Sequence, residues 1–423
     1  MPNTRGVLQA LGPGLLFAAA AVGVSHLVQS TRAGAALGLT LVTTVLLANA
    51  MKYPAFRFGP HYAAATGTSL LEGYRRQGRW ALVLYAGLTV ATMFTVLAAV
   101  TIVTAGLLIA VLGLRVSPLW VSVGLVSTCA LLLGVGRYHW LDRVTKVLVA
   151  VLTVSTLVAT ALALPRVDFS TFRLLPPVGE LDRASLFFIA ALVGWMPSAI
   201  DVAVWQSLWT LARGKDSGHA PTLRESSIDF HIGYIGTAVL ALCFLLMGAG
   251  VMHGTGRAFP DGPGAFAATV IDLYAASLGE ASRPLIGTAA FAVMFSTVLT
   301  VVDGFPRAIA VLVARLRGPE TGAHFELDEP AQKRTYWIAL AVLSVGALLV
   351  ISAMMQSLKT LVDVATTLSF LTAPVLSVLN HRAVLGPEVP AAARPKPWLV
   401  LASIAGIACQ AAFAVAYLAI RYG

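Results

Sequence analysis

Residues 12–32 read GPGLLFAAAAVGVSHLVQSTR, and residues 186–211 read LFFIAALVGWMPSAIDVAVWQSLWTL. Each stretch is apolar and long enough to cross a bilayer at roughly 20 residues per span. Each is also interrupted in its middle, the first by Gly23-Val24-Ser25-His26 and the second by Trp195-Met196-Pro197-Ser198. Glycine lowers helix propensity, and a serine can bond its own backbone instead of continuing a helix. Proline removes a donor and clashes with the preceding turn. Backbone unwound at membrane depth is tolerated only where it lines a cavity or is buried in protein. The half-helix ends at such a break offer carbonyls to cations and amides to anions. Pro197 alone would read as a kink. Two breaks at matching places in the two halves of the chain point instead to a binding site between them.

The rest of the composition agrees with a membrane setting. The chain has 423 residues, 58% hydrophobic and 11% charged, with mean hydropathy +0.82, against about 25% charged in a soluble protein. Apolar runs recur from end to end without ten-residue alternation, which excludes an outer-membrane barrel and indicates a polytopic helical protein. The net charge of +10 is carried by short loops between spans, among them Arg75-Arg76, Arg79, Arg137, Arg143, Lys146, Arg213, Lys215, Arg315 and Arg317. Basic residues in alternate loops are the mark of cytoplasmic loops, not of nucleic-acid binding. The pattern predicts a multi-pass protein of the plasma (inner) membrane with its N-terminus in the cytoplasm. Cys129, Cys243 and Cys409 lie in apolar spans and are expected as small buried side chains, with no disulfide or thiolate site. The apolar run Phe17–Ala21 resembles a signal-peptide core, but no clear cleavage site follows, so it is kept as part of the first span.

Apolar windows of roughly 20 residues predict about eleven helices, at approximately 11–33, 38–58, 80–110, 118–136, 141–164, 184–213, 229–252, 284–314, 335–356, 358–381 and 397–420. The stretches 164–183 and 253–283 are expected as outer loops and 317–334 as an inner one. No linker separates soluble domains, so residues 1–423 form one transmembrane domain. Residues 1–164 and 184–382 match as units of five helices, each opening on a broken helix, and 397–420 adds one more. An odd number of spans per unit inverts the second unit relative to the first. This is the 5+5 inverted-repeat plan of LeuT-type transporters with an eleventh helix, in an all-α polytopic membrane protein.

At this point the chain resembles a known family. Leu11-Gly12-Pro13-Gly14 through Ala36, with Gln29-Ser30-Thr31-Arg32-Ala33-Gly34-Ala35, is similar to the first helix of the Nramp (natural resistance-associated macrophage protein) family, and Met196-Pro197 resembles the Met-Pro-His motif of its sixth helix. The resemblance covers nearly the whole chain. It implies a LeuT-type fold and secondary transport of divalent metals. The sites themselves depart from the family. Aligned from Gly12-Pro13, the Asp-Pro-Gly-Asn signature falls on Gly23, Val24, Ser25 and His26. In helix six the motif histidine is replaced by Ser198, and a second family histidine falls on Ala203. The acids of helix three and the bases of helix nine that serve the family's proton route have no counterpart in 80–110 or 335–356. The residues on which the family's metal binding and proton coupling rest are therefore missing.

What remains near the breaks sets the candidates. His26 lies deep in a span, and an intramembrane ionisable residue is a functional candidate by default. As neutral imidazole it can join the Met196 thioether on a soft or borderline metal; as a packing residue it would bond a neighbouring helix. Asp201, one turn past the second break, offers a carboxylate to a cation or caps the second half-helix. His26, Met196 and Asp201 form the candidate metal set, helped by carbonyls near Gly23 and Val193. Ser25, Gln29, Ser30, Ser198 and Gln206 add neutral polar groups, and Trp195 and Trp205 add aromatic surface of a kind that suits an organic solute. Trp209 reads as a packing or interface residue. Asp303 and Arg307 stand four apart as an intrahelical ion pair. Asp363 faces the cavity or caps near its helix start, and Lys52 and Arg57 are expected to snorkel.

Three functions compete on this scaffold: a secondary transporter nominally of divalent cations through a non-standard site, a transporter of a small polar organic solute such as an amino acid, and a non-transporting sensor or scaffold. Fold alone does not choose among them. No Walker-type nucleotide motif occurs, so transport would run on gradients, and an enzyme is not expected. The partners implied are the lipid bilayer and the transported ion or solute. A divalent metal enters as substrate, and no cofactor is expected.

Overall fold

The computed structural model describes residues 11–135, 138–176, 182–256, 259–260, 262–318, 330–355 and 357–422. Among them are fifteen α-helices with short π and 3-10 segments, and no strand. The first span consists of α1 (Pro13–Ala21), a π-helical turn (Ser25–Ser30) and α2 (Thr31–Leu37), bent by 45° at the break. Then come α3 (Val42–Thr66), a short α4 (Leu70–Gln77), α5 (Arg79–Leu112), α6 (Pro118–Val135) and α7 (Tyr138–Ala163). The second broken span is α8 (Arg183–Gly194) and α9 (Asp201–Ser217). It is followed by α10 (Leu223–Val251), α11 (Pro263–Leu278), α12 (Arg283–Arg317), α13 (Pro330–Met354), α14 (Leu358–Val384) and α15 (Pro397–Tyr422).

Each expected span has its helix. Seven helices are long and apolar enough to cross a membrane by themselves, and the bent pair α1–α2 makes eight. The polar α3, the α8–α9 pair and α7 supply the others. Two helices were not expected. α11 lies within the segment read as an outer loop, and it packs its apolar face on α5. α4 lies in a basic loop and is amphipathic; its Glu72 is fully buried and pairs with Arg315 of α12 at 2.8 Å. Arg315 is therefore a buried ion-pair partner as well as part of a basic loop. Arg137 and the side chains of Arg143 and Lys146 lie outside the described residues.

The packing follows the inverted-repeat plan. α1 and α2 lie along α10, and α9 lies along α3. The broken span of each half thus seats on the second span of the other half. The third spans of the two halves, α5 and α12, also pack together, and α13 and α14 lean on α5. Outward faces carry exposed apolar side chains such as Trp120 and Leu131 on α6, Leu349 on α13, and Leu401 and Val415 on α15. Cys129 and Cys243 are buried as expected, whereas Cys409 is exposed on α15. It borders an open cavity between α15 and the bundle, beside Met51 and Phe370.

Both halves of the first span are held against α10 at glycine pairs, the small-residue contact that lets helix backbones approach in membranes. A Cβ on Gly14 would stand 2.0 Å from the Asp229 carbonyl oxygen, and one on Gly233 would stand 2.1 Å from that of Gly14. One full span further along, a Cβ on Gly34 would meet the Leu245 carbonyl oxygen at 1.9 Å, and one on Gly248 would meet that of Thr31 at 2.2 Å. Beyond the first pair, the Asp229 carboxylate accepts hydrogen bonds from the amides of Gly12 (3.0 Å) and Gly14 (2.6 Å), capping the start of α1. Gly248→Ala is expected to destabilise the purified protein by about 1–3 kcal/mol through overpacking, read as a fall in Tm. Gly236→Ala, on the same helix with nothing within 4 Å of the added carbon, is expected to leave Tm unchanged or slightly raised.

Candidate functional site

The two breaks leave carbonyls and amides without helical partners, and neighbouring side chains take them up. At the end of α1, the Ala21 carbonyl accepts from the Ser25 hydroxyl at 2.7 Å, and the Ala19 carbonyl accepts from the Thr297 hydroxyl of α12 at 2.7 Å. The chain then enters the π turn, where the Ser30 hydroxyl reaches the Ser25 carbonyl at 3.3 Å. At the end of α8, the carbonyls of Val193 and Gly194 accept from the Lys52 ammonium of α3 at 2.6 and 2.7 Å. Lys52 is only 1% exposed. It does not snorkel; its ammonium caps the negative end of α8. The peptide bond between Met196 and Pro197 is cis. α9 then starts at Asp201, with Ile200 in the cap position and no side-chain cap.

Between the breaks lies a cavity lined by Ala20, Ala21, Val24 and Ser25 of the first span, Trp195, Ser198, Ala199, Asp201, Val202 and Trp205 of the second, Val96 and Val100 of α5, and Thr297, Val301 and Phe305 of α12. Its free space is about 30 Å³, room for a water molecule or a bare ion. Asp201 is 2% exposed, and its Oδ1 has no hydrogen-bond partner among the described residues. Leaving a buried acceptor unsatisfied costs about 1–3 kcal/mol, more for a charged group. Asp201 sits in the first turn of α9, where the helix dipole favours a negative charge. The Trp205 indole N–H on the same wall is likewise unpartnered, and its ring packs edge-on against Phe305 with centroids 4.7 Å apart.

The structure gathers about half of the expected site. Val24, Ser25, Trp195, Ser198, Asp201 and Trp205 line the cavity, with Gly23 in the same break against the Thr297 side chain. His26 points away: its Nε2 donates to the Thr237 carbonyl of α10 at 2.9 Å, and its Nδ1 lies 2.7 Å from the Ser25 hydroxyl. It ties the π turn to α10. Met196 is fully buried in a separate apolar cluster with Leu192, Val193 and Phe370. The set His26, Met196 and Asp201 is therefore not brought together around one point, and no group of three or more His, Cys, Asp or Glu among the described residues is arranged to hold a metal ion. Trp195 donates its indole N–H to Ser369 of α14 at 2.7 Å. Gln206 is fully buried off the cavity, with both amide atoms unpartnered among the described residues. Trp209 packs edge-on against Trp205. Val193 contributes its carbonyl, but to Lys52.

Gln29 belongs to a second cluster. The Arg32 guanidinium donates to both Asp363 carboxylate oxygens, at 2.8 and 3.3 Å, and to the Gln29 amide oxygen at 2.8 Å. The Gln29 amide nitrogen donates to Asp363 at 3.1 Å, and the guanidinium also lies over the Phe188 ring at 4.8 Å. This pair bolts α2 to α14 and α8 beyond one end of the cavity. Asp303 and Arg307 form the expected i,i+4 pair at 2.8 Å, joined by the Tyr336 hydroxyl of α13 at 3.0 Å. Sequence reading missed the α5 and α12 walls, since it searched those spans for charges and the wall is made of Val96, Val100, Thr297, Val301 and Phe305. The usable signal was that spans three and eight occupy corresponding places in the two repeats.

Relatives fit this geometry. An uncharacterized protein of Pasteurella multocida (strain Pm70) is 33% identical over 416 residues, 98% of this chain and 93% of the relative. Among solved structures, the Eremococcus coleocola manganese transporter in complex with an aromatic bis-isothiourea substituted compound aligns with a TM-score of 0.73 at 15% identity, covering 98% of this chain and 86% of that one. Mhp1, a nucleobase-cation-symport-1 family transporter in a closed conformation with bromovinylhydantoin bound, aligns with a TM-score of 0.56 at 13% identity, covering 96% and 92%. At such identities these structures speak for the fold, which is the LeuT-type inverted repeat. The sequence itself matches the natural resistance-associated macrophage protein-like family over residues 14–418. Broken spans, repeat packing and a match over nearly the whole length coincide, and this multi-pass membrane protein belongs to the natural resistance-associated macrophage protein-like (Nramp) family of transporters and is not an enzyme.

Proposed function

We propose that this chain is a secondary transporter of a divalent metal cation, bound between the two breaks at Asp201 with the oxygens of Ser25 and Ser198. The observation that carries the reading is Asp201, which lines a space of about 30 Å³ between the half-helices and has a buried carboxylate oxygen without a partner among the described residues. A cation in that space would relieve the unsatisfied charge. The donors around it are oxygens, which suit hard ions such as Mg²⁺ and Mn²⁺ better than soft ones. The structural likeness to a manganese transporter supports the same class of substrate. An organic solute is disfavoured by size in this conformation, and the Trp195 N–H is already engaged by Ser369. α5 carries no acid, and α13 carries bases only at its start, Lys333 and Arg334, so the family's proton route has no counterpart on those helices. We assign residues 1–164 and 184–382 to the two repeats and 397–420 to the additional helix. The basic loops and the N-terminus are placed on the cytoplasmic face of the plasma membrane by the positive-inside pattern.

Two measurements test this reading. In thermal-shift titrations of purified protein, Mn²⁺ or Mg²⁺ at millimolar concentration is expected to raise Tm more than Zn²⁺ or Cd²⁺. Asp201→Asn should weaken that response at least about tenfold, or ~1.4 kcal/mol. Absence of any divalent response in the wild type overturns the metal assignment. In proteoliposomes, Asp201→Asn should abolish cation uptake, while Met196→Leu, a near volume-conserving change away from the cavity, should retain it within about twofold. Loss of uptake in Met196→Leu with retention in Asp201→Asn would move the site to the thioether.

A further inference from the structure

We propose that Lys52 is a tethered cation that fills the carbonyl end of α8, the place where a mobile monovalent cation would otherwise bind. α8 has twelve residues and stops at Gly194, inside the bundle. Its last carbonyls lie beyond the regular helical ladder, Val193 keeping only tight end-of-helix bonds such as that from the Met196 amide at 3.3 Å, and a helix C-terminus carries the equivalent of about half a negative charge. In inverted-repeat transporters, half-helix C-terminal ends and unwound carbonyls are the groups that coordinate coupling cations. Here two successive carbonyls, Val193 and Gly194, converge on one ammonium nitrogen at 2.6 and 2.7 Å. No carboxylate among the described residues forms an ion pair with Lys52, so its counter-charge is the helix end itself. The lysine comes from α3, a different span, at a position 1% exposed; a buried ammonium with only carbonyls for company is arranged as an ion in a site.

The surroundings have room for the replacement. Lys52 and Val193 also border a cavity of about 320 Å³ between α3, α8, α14 and α15, lined further by Met51, Phe370, Gln410 and Phe413. Shortening the lysine would open the two carbonyls to this largely apolar space, with room for a small cation at the carbonyls themselves. The tethered ammonium then explains how a broken helix can keep its negative end buried without an external ion: the chain carries the ion on its own side chain. Na⁺ and K⁺ have no vacancy at this end in the wild type.

The test compares wild type with Lys52→Ala and Lys52→Gln in detergent, at constant ionic strength, with NaCl or KCl against choline chloride. The wild-type Tm is expected to be the same in all three salts. Lys52→Ala is expected to melt lower in choline and to regain several degrees with Na⁺ or K⁺ in a saturable manner. Lys52→Gln, which retains an amide donor for one carbonyl, should show a smaller gain. A folded Lys52→Ala protein indifferent to Na⁺ and K⁺ overturns the proposal and leaves Lys52 as a structural cap. If neither variant folds, stabilisation of the wild type by Na⁺ or K⁺ over choline overturns it, and equal Tm in the three salts supports it. The inference uses the α8 end and not the Asp201 cavity. The monovalent response of the variants and the divalent response of the wild type are read separately, so either can fail alone.

Discussion

A peptide group freed inside an apolar bundle has no water to turn to, and the architecture here is organised around that constraint. Two helices stop in mid-membrane, and each stop strands carbonyls and amides whose desolvation is costly. The partners come from elsewhere in the chain, a different element for each: Ser25 within the break, Thr297 from α12, Lys52 from α3, and Asp229 from α10 at the start of α1. His26 adds a bond in the other direction, from the break to a carbonyl of α10. Because the partners sit on both repeats, the breaks can be satisfied only when the two halves are assembled. Local unwinding and global packing are therefore one event.

This dependence separates the polar groups into two kinds. Thr297 and Lys52 are spoken for at the breaks and Asp229 at the start of α1, while Ser25 both bonds the Ala21 carbonyl and borders the cavity. Asp201 lies at the same depth and is left with an oxygen unpaired in a small space. Lys52 and Asp201 flank the same interruption, one at the negative end of α8 and one at the positive end of α9. Each half-helix end thus faces a charge of the opposite sign, and the lysine is held to the end of α8 by a pair of short bonds.

Much of the fold was legible because hydropathy reports depth. The broken spans, the repeat plan and the helix bounds follow from where apolar windows begin and end. α11 escaped because a short helix lying on α5 needs only one apolar face and sits between glycine-rich ends. The candidate cavity is legible in part: Asp201, Ser25 and Ser198 stand out in the sequence as polar residues at a break, and all three line it. His26, Met196 and Lys52 were misread because depth says nothing about direction around the helix axis. His26 was the obvious ligand by chemistry and turned to α10 instead; Met196 turned into an apolar cluster. Lys52 looked like a snorkelling side chain because its partner, the end of α8, is some 140 residues away in the chain, a separation of 141 to Val193, and helix ends are invisible to composition.

The π turn at Ser25–Ser30 has a geometric result of its own. A π segment holds one residue more per turn than an α-helix, and each residue of an α-helix advances the side chains by about 100° around the axis. α2 is therefore rotated by about one residue from where an uninterrupted helix would have pointed it. Gln29 within the turn and Arg32 just beyond it share Asp363, while Gly34 faces α10. The first span is indexed like a gear with one tooth inserted: the register beyond the break is set by residue count, independent of which side chains line the cavity, so the lining can change composition while the bolt at Asp363 stays aligned.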